Sequence, residues 1–154
     1  MGRFLGKLSS DAFGCDVDEI KIAHYNIPAD KVVAADADGL LDGTPFPDKA
    51  ATVSTFLNKM PYAMNVTAVA SGTQTGKITV HGTNMNGDPI SEELTMKSST
   101  PVVGSLAFAD VTSVDLPIKV GSETIDLGWG TKFGLPYALA ADELVIIKLF
   151  DNSA

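Results

Sequence analysis

The side chains that could do chemistry are few and scattered. His24 and His81 are the only imidazoles in the chain, and neither has the HxH or HExxH partner that would set two rings on one metal ion. His81 is expected on the polar side of a strand, and His24 as a hydrogen-bonded, partly buried residue. A serine nucleophile would need one of them beside it with a carboxylate behind, and no GxSxG elbow presents a serine. The run Gly72–Lys77, GTQTGK, has the glycines and lysine of a phosphate-cradling loop. Three residues rather than four separate its glycines, however, and Ile78 stands where a Ser or Thr would hold magnesium. A flexible, hairpin-like loop is expected there. Asp36-Ala37-Asp38-Gly39 brings carboxylates close before a glycine, as calcium loops do. In an EF-hand register, though, Ala34 and Pro45 would occupy ligand positions. A calcium site of another kind, from Asp36, Asp38 and Asp42, stays open beside an acidic, solvated turn. Glu92 and Glu93 are neighbours on a strand and point to opposite sides, so they cannot share one glycosidic bond and read as surface charge. Asn65-Val66-Thr67 fits a glycosylation sequon only as a coincidence of a Thr-rich strand. No catalytic residue, metal or cofactor is expected.

The elements that carry these residues read as strands. Ile20, Ile22 and His24 alternate with Lys21, Ala23 and Tyr25, a period of two that Pro28 ends. Lys31–Ala50 mixes small, acidic and turn residues with Pro45 and Pro47, which predicts a long connection holding a short strand. TVSTFLN and MNVTAVA predict two further strands. In the hairpin around Asn86-Gly87-Asp88-Pro89, Ile78 and Val80 face one way and Thr79, His81 and Thr83 the other. On its return strand Glu92 shares the parity of Ile90, Leu94 and Met96, which predicts a bulge or a place where that parity meets solvent. SLAFADVTSVDLP, ETIDLG and ELVIIKLF follow as candidate strands. The whole predicts an all-β, antiparallel sandwich or barrel of about seven to eight strands. Residues 1–17 read as an N-terminal arm and 18–154 as the β domain. Phe4, Leu5, Leu8 and Phe13 could share a short helical face, but Gly2, Gly6 and Gly14 each weaken a helix by about 1 kcal/mol.

Composition bounds the function classes. The 154 residues carry a net charge of −8, with 11 Lys and Arg scattered along the chain, which argues against nucleic acid and toward protein partners. One cysteine, Cys15, excludes an internal disulfide and reads as a small hydrophobe. No apolar run approaches a membrane span, and the start lacks the apolar stretch of a secretory signal. A soluble product made in a cytoplasm is expected.

GWGTKFGLPY gathers Trp129, Phe133, Leu135 and Tyr137 into one short Gly-rich loop. Aromatics in such a loop plug their own domain or anchor a partner. The order ITVHGTNMNGDPISEELTM, VVGSLAFADVTSVDLP, IDLGWGTKFGLPY resembles the head decoration, or capsid cement, proteins of tailed bacteriophages. The likeness runs from about Val33 to Tyr137, with AADADGLLD and NVTAV upstream. Thr131 replaces an Asp common in that pattern, and KMPYAMNV replaces an NPDxPRN-like segment, so contacts made there in relatives are not carried over. The resemblance implies a virion protein on the head exterior, binding the major capsid protein at capsomer junctions, with homo-oligomers such as dimers or trimers expected. Phe4, Leu5 and Leu8 of the arm, with Trp129, Phe133, Leu135 and Tyr137, are the expected partner-binding residues. A tail or fibre adaptor, and a carbohydrate-binding sandwich using Trp129 and Tyr137, are the alternatives.

Overall fold

The structure is a computed structural model that describes residues 3–8, 20–24, 27 and 29–135, the first two segments as strand backbone only. Arg3–Leu8 (β1) and Ile20–His24 (β2) pair antiparallel as a two-stranded ribbon, so the arm's first turn is extended rather than helical. Cys15, Tyr137 and the ELVIIKLF strand lie outside the described residues.

Eight strands make two four-stranded antiparallel sheets. One has the order β3 (Asp36–Pro45), β10 (Thr124–Phe133), β5 (Met64–Ala70), β8 (Val102–Phe108). The other runs β4 (Ala51–Val53), β9 (Asp110–Leu116), β6 (Lys77–Thr83), β7 (Pro89–Thr95). The all-β, sandwich-like architecture expected from the strand periods is present. Between Asp36 and Phe133 the β6–β7 hairpin alone stays within one sheet, and every other connection changes sheet. Alternation along each strand then fills the space between the layers. Met64, Val66, Ala68 and Ala70 come from one side with Ile125 and Leu127, and Ile78, Val80, Leu94 and Val114 from the other. Burial of each larger side chain contributes roughly 1.5–3 kcal/mol.

Several segments differ from expectation. β3 is a ten-residue strand where a long connection holding only a short strand was expected. Register irregularities against β10 let Leu40 and Leu41 both turn inward while Asp38 and Asp42 stay exposed. TVSTFLN is strand only to Val53. Beyond it the chain peels off and closes β3's free edge, with Leu57 N donating to Leu40 O (3.0 Å) and Asn58 Nδ2 to Gly39 O (2.9 Å). FADVTSVDLP divides at Ala109 into strands of different sheets. Ser71–Gly76 is a crossing between sheets, not a hairpin-like loop, and the buried Gln74 ties it by accepting from Thr75 N and Gly76 N and donating to Ile118 O. GWGTKF is the end of β10 rather than a loop. Gly128 is needed there because a Cβ would strike the Asp36 carbonyl.

Candidate functional site

The outer face of the β4–β9–β6–β7 sheet holds a polar chain of Thr52, Asp115 and His81. Asp115 on β9 accepts from Thr52 Oγ1 at 2.5 Å and meets His81 Nε2 at 2.9 Å. The register sets Ser113 and Ser91 opposite His81 on its two neighbouring strands. The Thr52 hydroxyl, and then His81, hold the Asp115 carboxyl below its ordinary value of 3.8. A carboxylate behind an imidazole is what a nucleophile would require, yet no serine hydroxyl bonds to His81 among the described residues. The His81 and Asp115 side chains are 39% and 49% exposed on an open sheet face. Chemically this is a surface ion pair that strengthens when His81 is protonated. On the same face Glu93 pairs with Lys77 at 2.6 Å.

Glu92 points the other way and is not simple surface charge. The β6–β7 register is unbroken across it, so no bulge forms in β7. The bulge lies instead in β8, where Gly104–Leu106 face the single residue Val66 of β5. Glu92 reaches across to that bulge and accepts from Ser105 N (2.6 Å), Ser105 Oγ (2.7 Å) and Leu106 N (3.2 Å). It therefore latches the edge strands of the two sheets together. A Cβ at Gly104 would sit 2.5 Å from the Glu92 carboxylate, so a larger residue there would displace the Glu92 side chain from the latch. A second irregularity, in β10 between Trp129 and Phe133, flanks β5 on the other side. Asn65, 1% exposed, bridges the two, accepting from Lys132 N (2.9 Å) and donating to Gly104 O (3.3 Å). Its burial leaves the sequon inaccessible in the folded chain.

Of the expected partner-binding residues, Trp129 is 8% exposed and gives its indole N–H to Ala34 O at 3.1 Å. Its face is therefore occupied within its own sheet and is not open to stack on a sugar. Phe133 is half-buried, edge-on to Tyr62 with ring centroids 5.9 Å apart. Leu135 is 42% exposed, next to Gly134, which packs on Ala107 of β8. Phe4, Leu5 and Leu8 lie on β1, where only the backbone is described, and Tyr137 lies beyond. The structure thus sets Gly134, the neighbour of Leu135, against Ala107 of β8 and turns Trp129 inward.

β8 supplies exposed residues that sequence reading did not select. Val103 and Leu106 are exposed on this edge strand, whose residues Val102–Phe108 include no charge. The other long edges carry acids, Asp36, Asp38 and Asp42 on β3 and Glu92 and Glu93 on β7. Asp36 shares a hydrogen bond with the Asp38 side chain, which raises its carboxyl above 3.8. No group of three His, Cys, Asp or Glu among the described residues could hold a metal ion. No family model, curated protein or solved structure matches the chain.

Proposed function

We propose that this chain is a structural protein of a tailed-phage particle, a head decoration or cement protein that binds the outside of the assembled shell. The observation that carries the reading is the β8 edge. A chain of net charge −8 presents there one strand without a charged residue of its own, with Val103 and Leu106 in solvent. Glu92 and the bulge blunt this edge at Ser105 and Leu106, but Val103 and Leu106 keep their side chains in solvent. Exposed apolar side chains on an edge strand mark a place where another protein sits. The segments that resemble decoration proteins occupy this same body: the β6–β7 hairpin, the β8–β9 corner and β10.

The mechanism is linkage. A protein that binds the closed capsomer junction but not the opened one stabilises the shell by about 2.7 kcal/mol per site at a concentration a hundred times its dissociation constant. Repeated sites act together, so each contact can be modest. Electron microscopy of heads assembled with and without the protein tests the assignment. Added density at capsomer junctions, with DNA released at a higher temperature, is the expected result. Heads of identical appearance and heat resistance, or density confined to the tail, would overturn it.

A further inference from the structure

β9 runs from a groove at one end to an apolar knob at the other. After Leu116 the chain turns through Pro117–Glu123 and holds Ile118 and Val120 in solvent, 57% and 65% exposed. That loop is fastened on several sides. Lys119 N donates to Pro47 O (2.9 Å), Gln74 Nε2 to Ile118 O (3.0 Å), and Phe46 N to Glu123 O (3.2 Å). The Glu123 carboxylate accepts from Gly121 N (2.6 Å) and Thr73 Oγ1 (2.9 Å). Aliphatic side chains on a stiffened loop can dock with little further loss of entropy.

The groove opens because β4 pairs with β9 only from Val114 onward, while Ser54–Met60 peels away. It measures about 590 Å³, with Leu40, Phe56, Met60 and Val111 among its lining residues and Lys59 and Asp110 exposed beside them. Charges of both signs also flank the knob, where Lys119 and Asp48 pair at 2.6 Å.

We propose that the Ile118–Val120 knob of one copy seats in the β4–β5 groove of a second copy, head to tail. The groove has room for both aliphatic side chains. Lys119 is matched to Asp110, and Asp48 to Lys59, so the contact offsets part of the repulsion between two acidic chains. Knob and groove lie about 20 Å apart along β9 at ~3.3 Å per residue, so a copy whose knob is seated keeps its own groove open. Such a heterologous contact closes into a ring or continues as a chain of copies. The inference adds a means of self-assembly to the proposed role and rests on it only for purpose.

Sedimentation of the purified chain over a wide concentration range is the test. The wild type is expected to associate, and Ile118→Ser with Val120→Ser to weaken association more than about tenfold at unchanged circular dichroism. Asp110→Lys is expected to weaken it as well, with Lys119→Glu added to restore it. In a Cys15→Ser background, Val120→Cys and Leu57→Cys chains are expected to crosslink when mixed and not alone. A wild type that stays monomeric throughout, association untouched by the serine pair, or Val120→Cys chains linking to themselves as readily as in the mixture would overturn the proposal. A monomer that still bound heads would end this inference and leave the proposed function standing.

Discussion

Two polar side chains hold the irregular registers on either side of β5: Asn65 on β5 itself and Glu92 at the β8 bulge. Glu92→Ala strips acceptors from Ser105 N and Leu106 N. Ser105 and Leu106 are exposed, so water replaces part of the loss, and urea unfolding should show a cost of about 1–2 kcal/mol. Asn65→Ala leaves Lys132 N and Gly104 O without their side-chain partner where water does not reach as easily, and should cost about 2 kcal/mol. Asp115 bears on pH dependence. Its folded carboxyl is held below 3.8, so its contribution is present above that value and disappears as pH falls through the lower folded value. The stability difference between wild type and Asp115→Asn should therefore be constant at neutral pH and shrink only in strong acid. A difference that shrank already at neutral pH would contradict this assignment.

At the scale of elements, glycines separate packing from conformation. A Cβ on Gly82 would run into the Asp110 carbonyl at the β6–β9 irregularity, so Gly82→Ala should destabilise by about 3 kcal/mol or more. Gly87 has φ +84° in the hairpin turn with open space around it, and Gly87→Ala should cost only about 1 kcal/mol. Thermal unfolding of the two variants should rank them in that order. Deletion of residues 1–13, which removes β1, should leave the sandwich folded and weaken binding to heads. Unchanged binding would take the arm out of the account. The strand periods in β6 and β7 were legible because alternation maps directly onto burial, as Ile78 and Val80 at 0% exposure illustrate, and β5 was legible from its β-branched residues. β3 was not, because its irregular register breaks the alternation, and neither was β10 beyond Leu127, where glycines signal close backbone approach as readily as a loop. Glu92 left a trace in its parity, whereas Val103 and Leu106 left none, since edge position depends on strand order and that is a tertiary property.

As a whole molecule, the protein is two sheets laced by crossings, polar and ion-paired on one outer face, charge-free along β8. Its function on this account is to grip other proteins, with shell contact at the β8 edge and self-contact through the ends of β9. These two surfaces use different residues, so they can be separated by mutation. The most direct measurement is co-sedimentation of the purified chain with assembled heads lacking it, comparing wild type, Val103→Asp with Leu106→Asp, and Asp115→Asn. Wild type and Asp115→Asn pelleting with the heads while the β8 variant stays in the supernatant, all three equally folded, is the predicted result. A β8 variant that pellets as fully as wild type, or a wild type that does not pellet, would contradict the account.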